Sequence, residues 1–241
     1  SIRRQRQMCI RDSAYIQTFD HKFAQMSPEA FVSKLLVKQL KASHVVIGLG
    51  FVYGKNQVGT VALLEKLSHK YFFQVHPQSL VRIDGIPVSS TRIRDFVHEG
   101  NLPGATLLMG RHYELRGKVV EGAKRGKKLG IPTANLISNY EFIPKTGVYA
   151  CYATGKMGSS LCVVNVGLNP TFEEKELKIE AHLLDIGDIN LYGSELRLEF
   201  IDRLRGEKKF VDAESLVIQI KEDIRQARII LQNAGYQAKI I

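Results

Sequence analysis

The chain has 241 residues, 34 Lys and Arg against 24 Asp and Glu, and 44% hydrophobic residues. That balance excludes a disordered polymer, and the length allows one large or two modest domains. No apolar run approaches the roughly 18 residues that span a bilayer and the start lacks a signal peptide's apolar core, so the chain reads as soluble and cytoplasmic, without a membrane partner.

Residues 1–13, SIRRQRQMCIRDS, begin without Met and are expected to be a non-native leader, with a short basic arm as the alternative. From there the pattern is α/β. Ser27 and Pro28 supply a cap and first turn, and Phe31, Leu35, Leu36 and Leu40 recur at helical spacing up to Ala42. A short buried strand over His44–Gly48, a helix over Thr60–His69 and a strand over Tyr71–Val75 follow, the alternation of a parallel sheet with crossover helices. Gly48, Gly50 and Gly54 come just after a strand, but their spacing is not that of a dinucleotide-binding loop and no helix opens there. In Val88–Arg94, VSSTRIR, Ser89 or Ser90 caps a helix running to about Glu99. Its free N–H groups with Arg92 and Arg94 make either an anion site or an ordinary capped surface helix. A second short helix over Leu102–Met109 ends at Gly110.

Beyond His112 the pattern turns to strands: Tyr113–Val120, Gly147–Thr154, Leu161–Val166, Leu177–Leu184 and Glu195–Ile201, separated by Gly, Asn and Pro turns. Strands so spaced predict a small antiparallel β-barrel. Asp212–Gln232 closes the chain as a helix with Leu216, Ile220, Ile224, Ala227 and Leu231 on one face, read as a core stripe. Cys151 and Cys162 lie in apolar strands and are expected to be reduced core residues, while Cys9 adds no metal-ligand spacing.

Between the first two barrel strands runs GKVVEGAKRGKKLGIPTAN, Gly117–Asn135. Its glycines permit tight turns, and Lys124, Arg125, Lys127 and Lys128 place positive charge on them. Gly117 and Gly122 have Walker A spacing, but Ala123 and Lys124 follow in place of Lys and Ser or Thr. Past Pro132, Thr133 and Asn135 offer neutral hard oxygens of the kind Mg²⁺ accepts once phosphates and waters complete its shell. Taken alone, the stretch also fits a solvated basic hairpin. The formal charge of +10 invites a nucleic-acid reading. However, Arg111–Lys128 carries seven basic residues against Glu114 and Glu121, a concentration suited to a small polyanion.

These stretches resemble a known family. RGKKLGIPTAN, NVGLNPTF (Asn165–Phe172), IEAHLLD (Ile179–Asp185), LYG (Leu191–Gly193) and LRGEKKF (Leu204–Phe210) occur in the order seen in riboflavin kinases, in particular the bacterial bifunctional riboflavin kinase and FAD synthetase. Ala14–Leu108 resembles the second half of the FMN adenylyltransferase domain that precedes the kinase in those enzymes. The resemblance implies a partial nucleotidylyltransferase-like, Rossmann-type α/β domain over 14–110, then a small antiparallel barrel kinase domain with a C-terminal helix over 111–241. It implies riboflavin and ATP as substrates, FMN as product and Mg²⁺ as cofactor.

By the same resemblance Thr133 and Asn135 hold the metal, Gly122, Lys127 and Tyr192 contact ATP, and Arg205, Lys208 and Phe210 cover the flavin. Glu180 takes the proton of the ribityl 5′-hydroxyl; read without the family it is a solvated strand residue. Lys178, Glu180 and His182 share one face of their strand. His182 is read as a packed residue, and Asn165, Asn169 and Thr171 as part of a loop over the site. Ser89, Ser90, Thr91 and Arg92 fall where the adenylyltransferase holds nucleotide phosphates. That domain's His-x-Gly-His type motif is absent from the 241 residues, and its Gly-x-Asp-Phe motif reads Gly48-Leu49-Gly50-Phe51. The expectation is therefore a riboflavin kinase without FMN adenylyltransferase activity in this chain. The rivals are a basic nucleic-acid-binding barrel, which lacks interleaved exposed aromatics, and a flavin-binding regulator, against which Thr133, Asn135 and Glu180 speak.

Overall fold

The computed structural model describes residues 13–122, 126, 129–140, 142–170, 175–187 and 189–240. The chain folds as two compact units that divide between Leu80 and Val81.

In the first unit a short helix, α1 (His21–Ala24), is capped by Asp20. The next, α2, is α-helical over Pro28–Ala30 and π-helical over Phe31–Gln39. Ser27 caps it, as the sequence predicts, by accepting from the Ala30 N–H. It stops short of Ala42 because Lys41 takes the left-handed conformation, φ 50°. Strand β1 (His44–Gly48) matches its predicted bounds but is not buried as expected, since its residues alternate between exposed and half-buried. Thr60 caps α3 (Val61–Tyr71), whose C-cap Phe72 is left-handed at φ 57°. Tyr71 and Phe72 therefore finish the helix, and β2 starts later than expected, at Gln74–Gln78. β1 and β2 pair in parallel, His44 opposite Gln74, with α3 as the crossover. Val32, Tyr53, Leu64, Leu67 and Phe73 form the core beneath them.

The second unit opens with a two-residue-stranded hairpin, β3 (Arg82–Ile83) and β4 (Ile86–Pro87). Helices α4 (Ser90–Glu99) and α5 (Leu102–Met109) follow at their predicted bounds, capped by Ser89 and Asn101. Then come β5 (Tyr113–Val120), β6 (Ala134–Ile137), β7 (Gly147–Gly155), β8 (Gly158–Pro170), β9 (Lys175–Leu183) and β10 (Glu195–Arg205). All neighbours are antiparallel in the order β8-β7-β10-β5-β6-β9, and β9 pairs back onto β8, closing a six-stranded barrel. Closure leaves these strands without the free edges of an open sheet. A short β11 (Lys239–Ile240) pairs with the start of β8.

The sequence reading missed β6, a four-residue strand just beyond Pro132, and it cut β8 and β10 short. β10 runs on to Arg205 because bulges between Phe200 and Asp202 and between Arg203 and Arg205 let it bend without leaving β7.

Alternation along β7 explains why nearly all of it is buried. Tyr149, Cys151 and Ala153 point into the barrel with Leu115, Ile179, Leu196, Leu198 and Phe200. Val148 and Ala150 point outward against Ala227 and Leu231 of the last helix, α6 (Ala213–Asn233). Asp212 caps α6. Val97, Leu102 and Ala105 of α4 and α5 share the barrel's core cluster, so both helices pack with the strands that follow them. The buried phenols of Tyr113 and Tyr149 donate to the carbonyls of Phe142 and Lys145. Desolvation pushes both up to about 12, which keeps them neutral donors. Cys151 faces Cys162 across β7 and β8; both are free and buried, and burial holds the Cys151 thiol well above its usual range. Among the described residues no helix is long and apolar enough to cross a membrane.

Candidate active site

Strand β9 lies between β6 and β8, and this placement assembles the site. Glu180 stands opposite Asn135 on one side and opposite Asn165 on the other. Directly opposed residues carry their side chains on the same face, with Cβ atoms about 4.5–5.5 Å apart. All three line a cavity of about 370 Å³, together with Thr133, Lys178 and His182. The shared face of Lys178, Glu180 and His182 is thus the cavity wall.

Three contacts order that wall. Lys178 Nζ lies 2.8 Å from Glu180 Oε1. His182 Nδ1 is 2.7 Å from the Pro132 carbonyl and donates to it, which fixes the backbone just ahead of Thr133. A Cβ on Gly122 would lie 2.1 Å from Asn135 Nδ2, so only glycine leaves room for that amide. Gly126 is equally constrained: a Cβ there would meet the Ile131 carbonyl oxygen at 2.3 Å. Its own carbonyl accepts from the Leu129 and Ile131 N–H groups, tying the loop back on itself. Lys124, Arg125, Lys127 and Lys128 lie outside the described residues, as do Thr171 and residues 1–12.

The far wall comes from the end of β10, the segment after it and α6. Arg205, Lys208 and Phe210 line the same cavity. The Arg205 guanidinium carbon and Lys208 Nζ each lie 5.7 Å from the Phe210 ring centroid. Leu216 and Ile220 line it too, so the N-terminal part of the apolar stripe on α6 forms cavity wall and only its later part packs as core.

A second cavity, of about 590 Å³, lies on the other side of the Pro132–Ala134 segment and is lined by Val119, Leu183, Ile189, Leu191 and Tyr192 among others. Thr133 lines both cavities. Half of the Tyr192 side chain remains exposed, an aromatic wall open to a ligand.

The sequence-predicted residues are therefore drawn together unequally. Thr133, Asn135, Glu180, Arg205, Lys208 and Phe210 surround one space; Tyr192 belongs to the adjoining one. Gly122 supports Asn135. Asn165 sits in mid-β8, as the strand predicted over Leu161–Val166 implies, and not in the loop over the site that it was also assigned to, because β8 continues to Pro170. Ser89, Ser90, Thr91 and Arg92 line neither of these cavities; Ser89 serves as the cap of α4, accepting from the Arg92 N–H, and Arg92 stacks on Phe96 at 5.6 Å. Asp223 was missed: it lies 2% exposed on the buried face of α6 and grips Arg205. Its signal in the sequence is a carboxylate three residues after Ile220 and four before Ala227, within an apolar stripe.

Comparison with known proteins agrees with this architecture. A riboflavin kinase family model matches residues 109–231 and an FAD synthetase model matches residues 4–92, a match that begins inside the segment read as a leader. The bifunctional riboflavin kinase/FMN adenylyltransferase of Haemophilus influenzae is 32% identical over 218 residues, covering 90% of this chain and 70% of its own length. That of Listeria monocytogenes is 35% identical over 219 residues, covering 90% and 69%. The crystal structure of a macrolide-efflux protein from Streptococcus pneumoniae superposes with a TM-score of 0.81 at 28% identity, over 94% of this chain and 73% of that one. With two relatives above 30% identity and both family models matched in order, the chain belongs to the bifunctional riboflavin kinase/FMN adenylyltransferase family and carries its riboflavin kinase domain.

Proposed function

We propose that the barrel transfers the γ-phosphoryl group of ATP to the 5′-hydroxyl of riboflavin, giving FMN and ADP. The observation that carries this reading is the row Asn135–Glu180–Asn165 along the wall of one cavity, which shares Thr133 with a second cavity beside it. The larger cavity beside Tyr192 suits the nucleotide. The one walled by Phe210, Leu216 and Ile220 suits a planar apolar ring, with Arg205 and Lys208 at its polar edge. Glu180 accepts the hydroxyl proton as the oxygen–phosphorus bond forms and the bond to the ADP oxygen breaks.

Mg²⁺ fits the donor set. Thr133 and Asn135 offer an uncharged hydroxyl and amide oxygen beside the carboxylate of Glu180, and Gly122 leaves the Asn135 amide the space it needs. When bound, the cation neutralises phosphate charge. Thr133 and Asn135 would hold it, and His182 keeps their segment in place through Pro132. The positive charge that invites a nucleic-acid reading is partly committed within this site, Lys178 to Glu180 and Arg205 to Asp223.

The front unit is proposed to lack FMN adenylyltransferase activity, since the 241 residues contain no His-x-Gly-His type motif and Gly50 stands where the family places an acidic residue. Incubating the purified chain with riboflavin, ATP and Mg²⁺ should yield FMN and stop there. Failure to form FMN would refute the kinase assignment, and FAD accumulating from FMN and ATP would refute the second claim.

Gly122→Ala tests the metal-and-nucleotide side. The added methyl must push Asn135 aside. A displacement of about 1 Å in a positioning group can cost on the order of 100-fold in rate. Turnover should fall on that scale, while riboflavin affinity without nucleotide should stay at the wild-type value. Wild-type turnover in this variant would separate Asn135 from the chemistry.

A further inference from the structure

We infer that Asp223 is a positioning residue for flavin recognition, acting through Arg205. The inference rests on the riboflavin kinase reading and adds to it a residue on α6. A carboxylate 2% exposed among Ile220, Ile224 and Ala227 is costly unless its oxygens are fully engaged. They are: Arg205 Nε donates to Oδ1 and Oδ2 at 2.9 and 3.1 Å, Arg205 Nη2 donates to Oδ2 at 2.7 Å, and Gln219 Nε2 donates to Oδ1 at 3.0 Å. Arg205 Nη1 donates to the Gly206 carbonyl at 3.1 Å.

A fork-on-fork pair fixes the plane of a guanidinium, and lysine could not reproduce it. Here the plane is held beside the Phe210 ring, in the wall of the cavity assigned to the flavin. Among the described residues the Arg205 guanidinium makes no further hydrogen bond, which leaves one N–H on each terminal nitrogen for an acceptor. The carbonyl edge of a planar heteroaromatic ring provides such acceptors. A pair that merely joined helix to barrel could be replaced by apolar residues with little loss. This one lines the cavity at both partners, next to Leu216 and Ile220 of the same helix. Asp223 thus makes α6 responsible for the angle at which Arg205 meets its ligand.

The test uses the full chain as wild type, Asp223→Asn, Asp223→Glu, Arg205→Ala and the double variant Arg205→Ala/Asp223→Asn. FMN formation gives KM for riboflavin, KM for ATP and kcat, and thermal unfolding monitors the fold. Asp223→Asn should raise the riboflavin KM about tenfold or more, with the ATP KM changed by no more than about twofold. It should add nothing once Arg205 is gone, because the two residues act as one unit. Asp223→Glu keeps the charge and serves if the Asn variant does not fold; its longer arm should still raise the riboflavin KM, by a smaller factor. An unchanged riboflavin KM in folded Asp223→Asn or Asp223→Glu, or an Asp223→Asn effect that persists in full without Arg205, would overturn the inference. Absence of FMN from the wild type would instead remove the kinase reading. Titrating riboflavin by its own fluorescence without ATP then decides the role of Asp223 separately, equal affinities for wild type and Asp223→Asn overturning it.

Discussion

Glu180→Gln should cut riboflavin phosphorylation by about two to four orders of magnitude, the usual contribution of a positioned general base. The amide keeps the shape of the carboxylate and its place opposite Asn135 and Asn165, but it cannot take a proton. The fold should tolerate the change. The ion pair that is lost, with Lys178, is partly exposed on both sides, and such pairs contribute little to stability. Steady-state kinetics beside a thermal unfolding curve check both halves. Near-normal kcat with an intact fold would move the base elsewhere, whereas a collapsed melting temperature would make Glu180 a structural residue.

The largest loss of stability is expected at Phe200. Its side chain is fully buried in the barrel, with ring centroids 5.3 Å from Tyr149 and 5.8 Å from Tyr113. Phe200→Ala removes the ring from a core where neighbours cannot collapse inward, because closed pairing holds every strand on both sides. The cost should be about 3–5 kcal/mol, read from the shift of the urea midpoint for barrel unfolding. A shift of less than about 1 kcal/mol would mean that the barrel repacks, contrary to a tightly filled interior.

Much of the architecture could be read from local patterns, since local chemistry decides it. Ser27, Thr60 and Asp212 mark helix starts by the side-chain oxygen that an N-cap requires. The period-two face of Lys178, Glu180 and His182 was visible for the same reason, and so were α4 and α5 between Ser89 and Gly110. What escaped depends on pairings between distant segments. β6 is a strand because Asn135 finds Glu180 and Val120 across its two edges, which four residues after a proline do not announce. Asn165 falls near the end of a predicted strand, and only its pairing with Glu180 of β9 sets it beside that carboxylate. Asp223 hides for a different reason: an acidic residue within a helical stripe looks like an interruption, and only Arg205 from the end of β10 shows it to be a partner. The start of β2 was misplaced because Phe72 adopts a left-handed backbone, a rare choice for an aromatic residue.

The lodging of α4 and α5 against the barrel bears on where the polypeptide can be cut. Val97, Leu102 and Ala105 are solvent-free because they cover Leu115 and its neighbours, and the Lys145 N–H donates to the Val97 carbonyl. A protease or an expression boundary acting after Gly110 would strip this helical plug and wet the apolar floor it seals. Severed ahead of Val81, the hairpin and both helices would travel with the strands, so the smallest robust kinase fragment should be sought there.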